Sequence, residues 1–270
     1  MRRAKIDLYF APHFNVPFRC PVPFVATIHD LILHTYARGS WIRKFCYARM
    51  VQATVRKSSA LIAVSRFTKS EIGRLYGEST LRKVSVIPEG VSSDLRRLSA
   101  DETVTRLAAL GIEPGYLLYV GNGKAHKNIP MLIAAHRLAC NVPPLVLVSD
   151  PAVRAMLLPG DRITVLGDIP DNLLPALYSG ARCFITASLS EGFCLPIVEA
   201  RACGCPVIAT DTTAIPEVAG PHTLLVAPVG DSLKAAMEHP PTVADPLGHS
   251  FQWPAACQAT AAILRHTLSL

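Results

Sequence analysis

Residues 183–211 read CFITASLSEGFCLPIVEARACGCPVIATD. The run opens on a short apolar stretch, passes through the polar turn Ser188-Leu189-Ser190-Glu191-Gly192, and enters a helical pattern from Leu195. Gly204 then ends the helix and a second apolar stretch starts at Pro206. Gly192 allows a turn that a Cβ would crowd, and Pro196 suits the first turn of a helix, where its missing N–H is no loss. Strand, turn, helix and strand in this order make a βαβ unit. Strands without polar alternation are buried on both faces and belong in a parallel sheet.

The same alternation extends in both directions. Strands are expected at 6–11, 24–28, 60–64, 83–87, 116–120, 145–148, 163–166, 183–186, 206–210 and 223–226. Helical patterns are expected at 40–56, 66–75, 101–110, 129–139, 172–179, 196–202 and 232–238. The fold class is therefore α/β with helix crossovers. A break is expected around 88–100, where a strand ends in Pro88-Glu89-Gly90 and a polar stretch precedes a new helix. That gives an N-terminal domain over 1–95, a C-terminal domain over 96–250, and a last helix over 251–270 behind a stretch containing Pro240, Pro241, Pro246 and Gly248.

Composition narrows the class. Of 270 residues, 50% are hydrophobic and 17% charged, which excludes a disordered chain. No apolar run reaches the length needed to span a bilayer, and the basic start Met1-Arg2-Arg3-Ala4-Lys5 is followed by Asp7 rather than a signal-like core. The eight cysteines (Cys20, Cys46, Cys140, Cys183, Cys194, Cys203, Cys205 and Cys257) show no CxxC pair and no Cys/His metal spacing. Reduced, buried thiols in a cytosolic protein are expected, with no metal. The net charge of +7 is unevenly spread. Residues 1–99 hold 17 Lys/Arg against 6 Asp/Glu, and residues 100–270 hold 10 against 14, so the two halves are expected to face different partners.

Two segments carry the chemistry. In the first, the amides of Phe193, Cys194 and Leu195 would point outward from a helix N-terminus, whose positive dipole end attracts phosphate. Glu191 and Glu199 flank it; beside an anion site their carboxylates suit sugar hydroxyls, which donate to them. A diphosphate site between two hydroxyl acceptors fits a nucleotide-sugar donor, whereas an ordinary crossover with two solvated glutamates has the same spacing. In the second, a strand ends in Gly121-Asn122-Gly123-Lys124-Ala125-His126-Lys127-Asn128, a glycine turn whose two lysines could reach a phosphate. A basic surface turn reads the same way.

Together these segments resemble a known family. The runs Glu191-Gly192-Phe193-Cys194-Leu195-Pro196-Ile197-Val198-Glu199-Ala200 and Ala202-Cys203-Gly204-Cys205-Pro206-Val207-Ile208 look like the Glu-x₇-Glu signature of the group 1 (family 4) retaining glycosyltransferases of the GT-B superfamily. Val120-Gly121-Asn122, His126-Lys127-Asn128, Thr27-Ile28-His29-Asp30-Leu31, Ile62-Ala63-Val64-Ser65, Ile215-Pro216-Glu217-Val218 and Phe251-Gln252-Trp253 match in chain order. The resemblance implies two Rossmann-like domains with parallel sheets facing a cleft. It implies transfer of a hexose, mannose being the guess from the look of the His-Lys-Asn loop, from a nucleotide-diphosphate sugar to a glycan or lipid-linked acceptor. Retention of configuration follows from it, with no cofactor beyond the donor substrate and no metal.

The resemblance assigns residues to roles. Glu191 would contact the transferred sugar, Lys127 the leaving diphosphate, and His29 the acceptor side. Gly121, Lys124, Gly192, Phe193, Cys194, Leu195 and Glu199 would bind the donor, Glu199 at its ribose. Three positions depart from the pattern: Asn122 stands where a basic residue is usual, with Lys124 as its substitute, Glu89 where Pro88-Glu89-Gly90 replaces Pro-Asn-Gly, and Arg201 where a small or apolar residue is more common. A usual member also carries a first strand and a glycine-rich loop ahead of the segment beginning near Ile6. The resemblance thus implies an incomplete N-terminal domain, whose open edges need cover.

The basic segment from Arg38 to Lys57 holds Arg38, Arg43, Lys44, Arg49, Arg56 and Lys57 with no acidic residue, interleaved with Trp41, Ile42, Phe45 and Tyr47. On a helix it would suit an anionic membrane surface, and a core-facing helix with a solvated basic side has the same composition. Nucleic acid is not expected, since no binding motif accompanies the charge. The location expected is cytoplasmic, peripheral at the inner membrane face, in polysaccharide biosynthesis. Two other roles share these features: a non-catalytic or partner-dependent nucleotide-sugar-binding subunit, and a phosphorylase of similar fold.

Overall fold

The computed structural model describes residues 6–17, 19–36, 41–245, 247 and 250–269, with the side chain of Arg43 outside the description. Arg38, the Met1–Lys5 start, Pro246 and Gly248 therefore lie outside the described residues. The chain divides into two compact units. One holds the residues up to Gly90, Glu191–Phe193 and those from Phe251 onward; the other holds Val91–Ser190 and Cys194–Ser250.

In the first unit, β1 (Tyr9–Ala11), β2 (Phe24–Ile28), β3 (Ala60–Ala63) and β4 (Val84–Val86) pair in parallel in that order. All five β2 residues are buried, as an inner parallel strand requires. Side chains alternate across the sheet. Phe24, Ala26 and Ile28 share a core with Leu61 and Ala63 and with Tyr47, Val51 and Val55 of helix α2 (Trp41–Lys57), which follows the single-turn α1 (Leu33–Tyr36). Ile72, from α3 (Arg66–Tyr76), completes that face. Ser65 caps α3 by accepting the Thr68 N–H, and Gly77 ends it at φ 98°. On the opposite face Val25, Ile62 and Ile87 are buried, with Ala256, Ile263 and Leu264 of the last helix, α10 (Trp253–Leu268), packed against them.

The second unit holds β5 (Leu117–Val120), β6 (Leu145–Val148), β7 (Ile163–Leu166), β8 (Cys183–Thr186), β9 (Val207–Thr210) and β10 (Leu224–Val226). They form a parallel sheet in the order β10-β9-β8-β5-β6-β7. Its helices are α4 (Ala100–Ala108), α5 (Ile129–Leu138), α6 (Leu174–Gly180), α7 (Leu195–Ala202), α8 (Ile215–Val218) and α9 (Gly230–Glu238). From β5 the chain builds outward through β6 and β7, then returns to place β8 on the other side of β5. That reversal is a topological switch point, where open α/β sheets bind ligands beyond the carboxyl ends of their strands.

Every expected strand and helix exists, with ends moved by a few residues. The strand expected from Ile6 begins at Tyr9, and the helix expected at 172–179 is a 3₁₀ turn (Asp171–Leu173) leading into α6. The single-turn helices α1 and α8 are additions, since four residues are too few to show a 3.6-residue period. The buried-thiol expectation is corrected. Cys183, Cys194, Cys203 and Cys205 are buried, but Cys46, Cys140 and Cys257 are exposed and Cys20 is intermediate, because the latter lie on outward helix faces and in connections.

Both tryptophans, Trp41 and Trp253, belong to the first unit, so indole fluorescence reads its unfolding alone. Ile62→Ala empties a site that is 3% exposed under α10 and should destabilise this unit by about 3 kcal/mol in a denaturant titration followed by that fluorescence. A change below about 1 kcal/mol would mean that α10 does not close this face.

Candidate active site

At the switch point the loops after β5 and β8 lie side by side. Gly121 ends β5 at φ 155°, and a Cβ there would meet the Tyr119 hydroxyl at 2.7 Å. Its N–H donates to Val148 O at 3.0 Å. The Lys124 N–H donates to Asn122 Oδ1 at 3.2 Å, and residues 125–127 form one 3₁₀ turn that closes on Asn128 in the left-handed region. The Leu189 N–H donates to His126 O at 2.7 Å and joins this loop to the one after β8. Ser188 is pinned in turn, its carbonyl accepting from Thr210 Oγ1 and, at 2.9 Å, from Thr212 Oγ1. Lys127 is thus carried by a loop bonded to the one after β8. The glycine turn differs from a bare phosphate loop in one respect: the Gly123 N–H is taken by Asp150 Oδ2 at 2.5 Å.

Helix α7 starts after Cys194, which adopts φ 81°, ψ 63°, a left-handed conformation uncommon outside glycine. The Cys194 side chain makes no capping hydrogen bond to the first turn, where the early N–H groups lack intrahelical partners, and Pro196 occupies that turn as its ring favours. Glu199 lies one turn further in and is half-buried. The Tyr178 hydroxyl, itself fully buried, donates to Glu199 Oε2 at 2.7 Å. Burial pushes the Glu199 carboxyl above the usual carboxylate range, and the Tyr178 hydrogen bond works against that rise. Arg201 is buried, with Nη1 donating to Val218 O at 2.6 Å, so this departure from the family pattern ties α7 to α8. Burial pushes the Cys203 and Cys205 thiols up to about 12, which leaves the one close cysteine pair protonated and unreactive.

The first unit gathers the other candidates. His29 follows β2, with Nδ1 at 2.6 Å from Glu89 Oε1 and Nε2 at 2.8 Å from Pro12 O. Gly192 packs against the same strand end, and a Cβ on it would collide with the main-chain carbonyl oxygen of His29. The Gly192 carbonyl accepts from Ser65 Oγ at 2.6 Å and from Thr68 Oγ1 at 3.2 Å. Glu191, ahead of it, is only 6% exposed, and the Phe193 ring meets Phe251 edge-on at 5.5 Å between centroids.

The structure therefore groups His29, Glu191, Gly192 and Phe193 in one unit, and Gly121, Lys124, Lys127, Cys194, Leu195 and Glu199 in the other. Tyr178, Asp150 and Thr68 enter these contacts without having been singled out in the sequence. No local signal marks them, since each meets its partner only across the fold. Gly192→Ala should destabilise the first unit by about 2 kcal/mol or more, since the carbonyl it strikes is fixed in β2's end; an unchanged fluorescence-detected unfolding midpoint would contradict this packing.

Among the described residues no group of three His, Cys, Asp or Glu side chains is arranged to hold a metal ion, and no helix is long and apolar enough to cross a membrane. The family model "Glycosyl transferases group 1" matches residues 114–239, and "Glycosyltransferase Family 4" matches residues 1–95. The O-antigen chain mannosyltransferase B of Escherichia coli is 32% identical over 242 residues, covering 84% of this chain and 63% of the relative. The O-antigen chain mannosyltransferase RfbU of Salmonella typhimurium is 29% identical over 211 residues, covering 75% and 56%. The chain thus spans about three fifths of the length of these curated relatives. Among solved structures, sucrose-phosphate synthase from Thermosynechococcus elongatus aligns at a TM-score of 0.80 and 25% identity, over 99% of this chain and 76% of that one. The two parallel-sheet units are of the GT-B class. With its two halves matched in chain order by models of one family, the chain belongs to the group 1, family 4 glycosyltransferases.

Proposed function

We propose that this chain carries out glycosyl transfer, moving a hexose from a nucleotide-diphosphate sugar to a glycan or lipid-linked acceptor with retention of configuration. Mannose is the sugar favoured by the names of the two curated relatives. The observation that carries the reading is the Leu189–His126 hydrogen bond, which joins the lysine loop to the loop after β8 at the switch point.

Each role follows from the chemistry of its group. Negative charge builds on the diphosphate as the glycosidic bond breaks. Lys124, Lys127 and the first turn of α7 offer fixed positive potential for it, worth most in the transition state. Since Asp150 occupies the Gly123 amide, the lysines rather than that amide serve the anion. Tyr178 occupies Oε2 of Glu199 and leaves Oε1 to accept a ribose hydroxyl. Glu191 is assigned to hydroxyls of the transferred sugar and His29 to the acceptor side. The chain supplies all these groups without a cofactor or a metal.

The test is turnover of GDP-mannose and other nucleotide sugars by the full chain, with Glu191→Ala as control. Removing a contact to the reacting sugar should lower turnover at least about a hundredfold while nucleotide affinity changes little. Nucleotide binding without turnover on any acceptor would replace catalysis by a binding-subunit role. Phosphate-dependent release of sugar 1-phosphate would instead indicate a phosphorylase.

The lipid-linked acceptor is favoured by α2. Its buried stripe Tyr47, Val51 and Val55 faces the core, while Trp41 is 74% and Phe45 58% exposed beside the exposed Lys44 and Arg49. Apolar rings interleaved with cations suit an anionic bilayer surface at the inner membrane face. Co-sedimentation with phosphatidylglycerol vesicles should fall with added salt and with Lys44→Ala plus Arg49→Ala; binding that ignores both would remove the membrane from the reading.

A further inference from the structure

His29 has a hydrogen-bond acceptor at each ring nitrogen. Nδ1 faces the Glu89 carboxylate at 2.6 Å and Nε2 faces the Pro12 carbonyl at 2.8 Å. A neutral imidazole carries one N–H and one lone pair. Either neutral tautomer would therefore set its lone pair against an oxygen at hydrogen-bond distance. The doubly protonated ring satisfies both contacts.

The surrounding groups agree. Asp30, the residue after His29, adds negative charge nearby. His13, on the loop after β1, stacks at 6.2 Å between ring centroids. Its Nδ1 accepts the Asn15 N–H at 3.3 Å, which requires a lone pair there, and burial and the proximity of His29 both lower its pKa. The two rings of the pair thus sit in surroundings that shift them in opposite directions. The Glu89 hydrogen bond, against partial burial, raises the His29 pKa above its ordinary 6.5. Glu89 is also the residue at which the sequence departs from Pro-Asn-Gly, and an asparagine amide would bring no charge to this position.

We propose that Glu89 is a positioning residue that holds His29 as an imidazolium, so that His29 presents a fixed positive charge, and not a base, at the carboxyl end of β2. Its catalytic consequence rests on the transferase reading above: the acceptor hydroxyl does not hand its proton to His29, and the rate depends on the charged ring. The linkage has a definite sign. A folded-state pKa above the unfolded one stabilises the fold fully below about pH 6.5, and that contribution is lost as pH rises through the raised value.

The direct test is NMR titration of the imidazole signals of the full chain without substrate. The His29 signal, one of nine histidines, is assigned by its absence in His29→Gln. The expected result is a His29 midpoint above 6.5 with both ring nitrogens protonated at pH 6.5, and a lower midpoint in Glu89→Gln. Glu89→Asp should restore part of the shift. A wild-type midpoint at or below 6.5, or one unmoved in Glu89→Gln, overturns the proposal. The wild-type ring-nitrogen shifts decide the matter even if the variant does not fold. No transfer by the wild-type chain would overturn the transferase reading and leave this titration standing. Where transfer is seen, the alkaline limb of the rate profile should move to lower pH in Glu89→Gln by the same amount as the midpoint; a limb that stays in place overturns the catalytic part.

Discussion

The arrangement of the first unit's candidates depends on one close approach, the Cα of Gly192 against the main-chain carbonyl of His29. There is no volume for a Cβ, so the Glu-Gly-Phe segment can come within van der Waals distance of the end of β2 only with glycine at its centre. Two hydroxyls, from Ser65 and Thr68, then hold the Gly192 carbonyl. Ser65 also caps α3, so one side chain fixes both the start of that helix and the position of the loop. Glu191 is buried as a consequence of this seating, not through any apolar character of its own.

The second unit follows from a different constraint, the reversal of strand order between β5 and β8. Because their neighbouring carboxyl ends point the same way, the two loops that follow them must leave together. A single amide–carbonyl bond from Leu189 to His126 suffices to register one against the other. The strained Cys194 then turns the chain into α7. A left-handed residue at a helix start recurs where backbone amides are kept turned toward a ligand, and its cost must be met by the packing around it.

Most of this architecture was legible in the sequence because buried parallel strands are short runs of Val, Ile and Leu that admit few other readings. β2, β6, β7 and β8 have the bounds expected of them. The glycines and glutamates of the site were legible for a related reason: a glycine between a strand and a proline-started helix has few purposes. What escaped were partners at long sequence separation. Tyr178 lies in an apolar helix with nothing local to mark its hydroxyl, and its meeting with Glu199 needs α6 and α7 to be packed first. Asp150 and Thr68 are likewise ordinary in their own segments. Glu89 stood out as a departure, but that its carboxylate takes Nδ1 of His29 depends on β4 lying two strands away from β2.

That placement gives the charge asymmetry of the chain a more specific meaning. Residues 1–99 contain only six acidic side chains among seventeen basic ones, and two of the six, Asp30 and Glu89, lie around one histidine. If the acids served only to moderate the net charge, they would be spread over the surface, as Glu71 is where it pairs with Arg74 on α3. Setting them beside His29 adds a cation to an already basic half instead of neutralising one. The reverse holds in the second unit, where acids outnumber bases, yet the loop after β5 carries Lys124 and Lys127, and the carboxylate of Asp150 beside it is turned onto a backbone amide. In the second unit the local placement of charge thus runs against the average around it, in the first it adds to that average, and in both the residues responsible are those at the carboxyl ends of the strands.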